Sequence, residues 1–137
     1  MPEYLVAYQS VAVACLVLGV LLVVQLMALG VANRRDPHVP GMPVTDGHDR
    51  FFFRAARAHA NLVENLPAYL LFTVAAVVLG ANPRWIGYAA WVFVIARVLH
   101  TAFYYADKRA ARSAMFGLGA LAQLGMLVVV TVALVTA

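Results

Sequence analysis

The chain has 137 residues, a net charge of +4, 64% hydrophobic residues and 12% charged ones. A soluble domain carries about twice that charged share, so a water-facing fold of this length lacks the polar surface to cover its core. The basic excess lies beside apolar stretches, where anionic lipid headgroups satisfy it without a nucleic-acid partner, and a lone Cys15 excludes an intrachain disulfide.

Crossing the ~30 Å hydrocarbon layer takes a helix of about 20 apolar residues, and four stretches qualify. Span one, residues 4–32, holds no charge. It is too long for a signal-peptide core and no basic residue precedes it, so it reads as retained. Residues 33–50 carry Pro37, Pro40, Gly41, Pro43 and Gly47, a composition that reads as a loop. Span two, 51–80, ends in the turn Gly80-Ala-Asn-Pro83. Pro83 suits the start of span three, 84–106. A basic turn, 107–112, leads to span four, 113–136, which is free of charge. Runs such as Val20-Leu-Leu-Val-Val24 do not alternate as barrel strands would. The expected fold is one all-α, four-helix membrane domain.

Of the ten basic residues, eight fall on the side of the 33–50 loop: Arg34, Arg35, Arg50, Arg54, Arg57, Lys108, Arg109 and Arg112. Arg84 lies on the other side and Arg97 within a span. The positive-inside rule then puts the long loop in the cytosol and both termini outside.

Span two carries a polar stripe. At ~100° per residue, Arg54, Arg57, Asn61 and Glu64 fall within roughly 80° of one another, with His59 nearly opposite. Ionisable groups at hydrocarbon depth are costly and are paired or functional. Arg54 at the helix end suits snorkelling to headgroups. For Arg57, Asn61 and Glu64 two readings stand level: a structural ion pair, or a site for a zwitterionic ligand, with arginine on a carboxylate and Glu64 on an ammonium. Pro67 reads as a packing kink. In span three, Arg97, His100 and Tyr104 share a face. Arg97, about 15 Å from the loop-side turn, is expected to pair with Glu64. His100 and Tyr104 offer ligand hydrogen bonds. Arg112 and Ser113, at the mouth of span four, read as topology charge and helix cap, or as an anion site where the positive helix end favours a thiolate. The four histidines show no metal-ligand spacing.

The run Arg57-Ala-His-Ala-Asn-Leu-Val-Glu-Asn-Leu-Pro67 resembles the signature of the MAPEG family, the membrane-associated proteins of eicosanoid and glutathione metabolism. Ala96-Arg-Val-Leu-His-Thr-Ala-Phe-Tyr104 and Arg112-Ser113 resemble its third helix and fourth-helix entry. The resemblance implies a homotrimer with glutathione bound between subunits near the cytosolic side. It implies that Arg57, Asn61 and Glu64 hold the tripeptide, with Arg54 a weaker transfer, that His100 and Tyr104 contribute from the third helix, and that Arg112 stabilises the thiolate beside Ser113. Ala60, Asn65 and Phe116 depart from the prostaglandin- and leukotriene-forming branches, so the chain is more similar to generic bacterial members, which points to a bacterial inner membrane. The expected activity is glutathione transfer to, or reduction of, a lipophilic electrophile or peroxide. A non-catalytic lipid- or partner-binding scaffold of the same fold is the alternative. A small transporter is a weaker one, because inverted repeats and broken helix pairs are not visible.

Overall fold

The computed structural model describes residues 3–45 and 47–136, with Tyr4 as backbone only. Five helices follow one another: α1 (Glu3–Ala7), α2 (Gln9–Arg35), α3 (Phe51–Val78), α4 (Pro83–Tyr105) and α5 (Arg109–Thr136). No strand occurs among the described residues. Helices α2 to α5 are each long and apolar enough to cross a bilayer, and the chain is an all-α integral membrane protein. Helix is the form that satisfies every backbone N–H and C=O inside one apolar segment, with no water to help.

The turns follow from local chemistry. Asn82 caps α4, its Oδ1 accepting from the N–H groups of Arg84 at 3.0 Å and Trp85 at 3.4 Å, and Pro83 occupies the first helical turn, where a missing N–H costs nothing. At the other end of α4, Asp107 takes a left-handed conformation, φ 53°. Its N–H and that of Lys108 reach back to the carbonyls of Tyr104 and Phe103, closing the helix as a Schellman motif. That closure lets α5 begin at Arg109, one turn before the start expected from hydropathy.

Helix α4 is the central element. Half of its most apolar stretch is buried, against 22% in each of the other three long helices. Ile86, Ala90, Phe93 and Val94 of α4 meet Val11, Ala14 and Leu18 of α2, Leu62, Tyr69 and Ala76 of α3, and Ala122 and Met126 of α5. The alanines let the helix backbones approach closely, and Tyr69 stacks on Phe93 with centroids 4.8 Å apart. Large apolar side chains such as Leu71, Val78, Leu121 and Val128 lie exposed on the outside, the surface lipid covers. Helix α3 runs through Pro67 without a break.

Polar side chains tie the bundle internally. Gln25 of α2 is fully buried. Its Nε2 donates to Thr101 Oγ1 at 2.9 Å, and its Oε1 lies 3.2 Å from His59 Nδ1, so one amide links α2, α3 and α4. His59 thus faces α2, opposite the polar stripe as expected. Gln123 Nε2 donates to the Asn65 carbonyl at 2.8 Å, joining α5 to α3. Between α2 and α3, Arg50 pairs with Asp36 and brings the two ends of the connecting loop together.

Candidate functional site

The polar stripe of α3 divides at the seam with α4. Arg57 and Glu64 are exposed on the outer face, whereas Asn61 is half-buried. Arg97 of α4 is 1% exposed and donates from Nη1 to Asn61 Oδ1 at 2.7 Å. Its guanidinium lies over the rings of Phe93, at 4.9 Å, and Phe116, at 5.5 Å, while Nε and Nη2 have no hydrogen-bond partner among the described residues. Gly119 makes room for it, since a Cβ there would stand 3.0 Å from the guanidinium carbon. The Arg97–Glu64 pair expected from depth and charge is therefore corrected. Arg97 turns inward onto Asn61, and Glu64 faces away from the bundle. The roughly 60° between Asn61 and Glu64 on the helix is enough to put them on opposite sides of the seam.

Arginine has donors only, so the 2.7 Å contact fixes the Asn61 amide: Oδ1 accepts from Arg97, and Nδ2 is the group of the amide left for another partner.

Towards the loop side, His100 and Tyr104 are buried and stand edge to face, with centroids 5.0 Å apart. Phe116 of α5 lies 6.3 Å from the His100 ring. Arg112, in the first turn of α5, lays its guanidinium over Tyr104 with Cζ 4.3 Å from the ring centroid. Arg97, His100, Tyr104, Phe116 and Arg112 form one column along the α4–α5 contact. Ser113 does not cap the helix. With α5 beginning at Arg109, Ser113 sits inside it, exposed, and its Oγ donates to the Arg109 carbonyl at 3.1 Å. Arg54 does not extend outward either. Its Nη1 donates to the carbonyls of His48 and Asp49, folding it back onto the loop.

One residue of this cluster escapes sequence reading. His48 Nδ1 lies 3.3 Å from Arg112 Nη1, and the His48 ring stacks on Tyr104 at 6.2 Å. Nothing in the spacing of a Pro-rich loop signals a contact with a side chain 64 residues away. Partial burial lowers the His48 pKa, and the guanidiniums of Arg112, Arg109 and Arg54 lower it further against the opposing pull of Asp107.

A groove of about 620 Å³ lies at the other end of the bundle, between the Gly80–Asn82 turn and the end of α5. Its wall is mostly aliphatic, with no charged side chain, so the polar column rather than cavity size locates the candidate chemistry.

Four membrane-crossing helices with a column of cationic, amide and aromatic side chains between α3, α4 and α5 define a polytopic membrane protein with a polar site near one end. The chain belongs to the MAPEG family, whose family model matches residues 11–132. Membership places it among membrane proteins of glutathione and eicosanoid metabolism. No curated protein and no solved structure matches the chain.

Proposed function

We propose that the protein is a membrane-bound glutathione transferase or peroxidase, acting on a lipophilic electrophile or peroxide. The observation that carries this reading is the Arg112 guanidinium held over Tyr104, beside buried His100, at the start of α5. A guanidinium at a helix N-terminus stabilises a thiolate relative to a thiol. Lowering a thiol pKa from about 9 to about 6 raises the thiolate fraction at pH 7 from about 1% to about 90%.

Glutathione presents two carboxylates, an ammonium and amide groups. In this proposal Arg57 takes a carboxylate, Asn61 Nδ2 donates to a carbonyl or carboxylate oxygen, and Glu64 takes the ammonium. His100 and Tyr104 line the approach to the sulfur, Ser113 lies beside it, and Arg54 contributes by closing the loop. An exposed Glu64 at hydrocarbon depth is not stable against lipid, which supports a polar neighbour on that face: glutathione bound between copies of the chain, in a homotrimer. The 33–50 loop then lies in the cytosol, in a bacterial inner membrane. The thiolate sulfur supplies the electron pair for a new C–S bond while the leaving group departs with the electrons of the broken bond. With a peroxide, two glutathiones are oxidised to the disulfide as the O–O bond is reduced.

Purified protein in nanodiscs is expected to develop a thiolate absorbance with glutathione and to conjugate a generic aryl halide. Arg112→Ala is expected to lose both while keeping its oligomeric state. Undiminished thiolate and turnover in that variant would refute the assignment, and lipid binding with no thiol chemistry in the wild type would select the scaffold reading.

A further inference from the structure

An arginine stabilises an anion only if its guanidinium is aimed, and the side chain of Arg112 has four rotatable bonds with which to wander. Tyr104 supports it from one side. Among the described residues a single hydrogen-bond acceptor meets its edge, His48 Nδ1 at 3.3 Å. We propose that His48 is a positioning residue for the reaction: as a neutral acceptor it orients Arg112 toward the sulfur. This rests on reading Arg112 as the partner of the thiolate.

The geometry defines the chemistry. Arginine cannot accept, so Nδ1 must carry the lone pair and Nε2 the proton. Asp107 Oδ1 also lies near Nδ1, at 3.9 Å. An ion pair there requires a proton on Nδ1, and the same nitrogen cannot then accept from Arg112. The shorter contact, and the crowd of guanidiniums around the ring, favour the neutral form. The charged and titratable groups that face His48 are Arg54 from α3, Tyr104 from α4, Asp107 from the turn, and Arg109 and Arg112 from α5. The three charged side chains other than Asp107 are all arginines, so a proton on the imidazole would add a like charge at the Arg112 edge.

His48 is itself held in place. Its carbonyl accepts from Arg54 Nη1, as does that of Asp49. Its ring meets the edge of Phe53 at 5.0 Å and stacks on Tyr104. The loop thus delivers one acceptor to the guanidinium and leaves the other N–H groups of Arg112 for a ligand.

Two substitutions separate the acceptor from the ring. His48→Asn keeps an oxygen acceptor at the same number of bonds from the backbone as Nδ1 and removes the ring. His48→Phe keeps the ring against Phe53 and Tyr104 and removes the acceptor. Each full-length variant, in nanodiscs with the wild type, is titrated with glutathione, reading thiolate absorbance, KM and kcat, with thermal unfolding as a control on the fold. His48→Phe is expected to raise the thiol pKa by about one unit, a tenfold fall in the thiolate-to-thiol ratio that takes the thiolate at pH 7 from about 90% to about 50%, with kcat falling more than KM rises. His48→Asn is expected to stay within about twofold of wild type. The reverse order, with Phe normal and Asn deficient, overturns the proposal in favour of ring packing, and so does an equal loss or no loss in both. Absence of any thiolate in the wild type overturns the glutathione reading itself, and the positioning role falls with it.

Discussion

Removing the Asn61 side-chain oxygen should unfasten the buried cation at the centre of the bundle. Among the described residues the Arg97 guanidinium makes one hydrogen bond, 2.7 Å to Asn61 Oδ1, and two of its nitrogens are already without partners. In Asn61→Leu the third nitrogen joins them, in a side chain that is only 1% exposed. A charge-assisted hydrogen bond contributes about 1.5–3 kcal/mol, whereas neutral bonds between membrane helices average about 0.6 kcal/mol. The charge and the lack of an alternative partner place this one near 2 kcal/mol, on the order of the charged-bond value. Asn61→Asp has the same shape and gives Arg97 a counter-charge, which relieves an uncompensated buried ion. Its stability is expected to equal or exceed wild type. It also replaces the Nδ2 donor proposed for glutathione with an acceptor, so glutathione binding is expected to be lost. Stability is measured by unfolding in mixed micelles titrated with denaturing detergent, and binding by calorimetry. The reasoning fails if Asn61→Leu lies within about 0.5 kcal/mol of wild type, or if Asn61→Asp binds glutathione normally.

Gly119→Ala places a methyl group 3.0 Å from the Arg97 guanidinium carbon, which is confined between Phe93 and Phe116, and is expected to cost about 1–3 kcal/mol in the same unfolding assay. Gln25→Leu removes the link between Thr101 and His59. Thr101 keeps its bond to the Arg97 carbonyl at 2.8 Å, so the expected loss is modest, about 1–2 kcal/mol, and a variant as stable as wild type would show the amide to be dispensable. The pH dependence has a definite sign. Folding lowers the His48 pKa below its ordinary 6.5, so the native state binds fewer protons there than the unfolded chain. Stability is therefore full above about pH 6.5 and declines as pH falls through that value toward the folded pKa. Melting temperatures at pH 8 and pH 5 are expected to drop further apart in wild type than in His48→Asn.

The amino-acid sequence by itself determined that this is an all-α membrane protein, because hydropathy and span length are sums over neighbouring residues and need no knowledge of partners. The turn at Pro83 was legible for the same reason, through Asn82 and the proline's fixed geometry. The helical period also placed Arg97, His100 and Tyr104 on one face, and α4 presents all three to the bundle interior. Only the tertiary structure decided the pairings. Depth and charge pointed Arg97 to Glu64, but the α3–α4 seam passes between Asn61 and Glu64, and a crossing position of that kind is set by packing around Leu62, Phe93 and Gly119. The start of α5 depended on how the chain closes at Asp107, which moved Ser113 from the expected cap into the helix. His48 was invisible because a loop residue has no period, and its neighbours arise from folding back across the ends of α3, α4 and α5. Local chemistry writes helices into a sequence one segment at a time, while contacts between segments exist only once the bundle has closed.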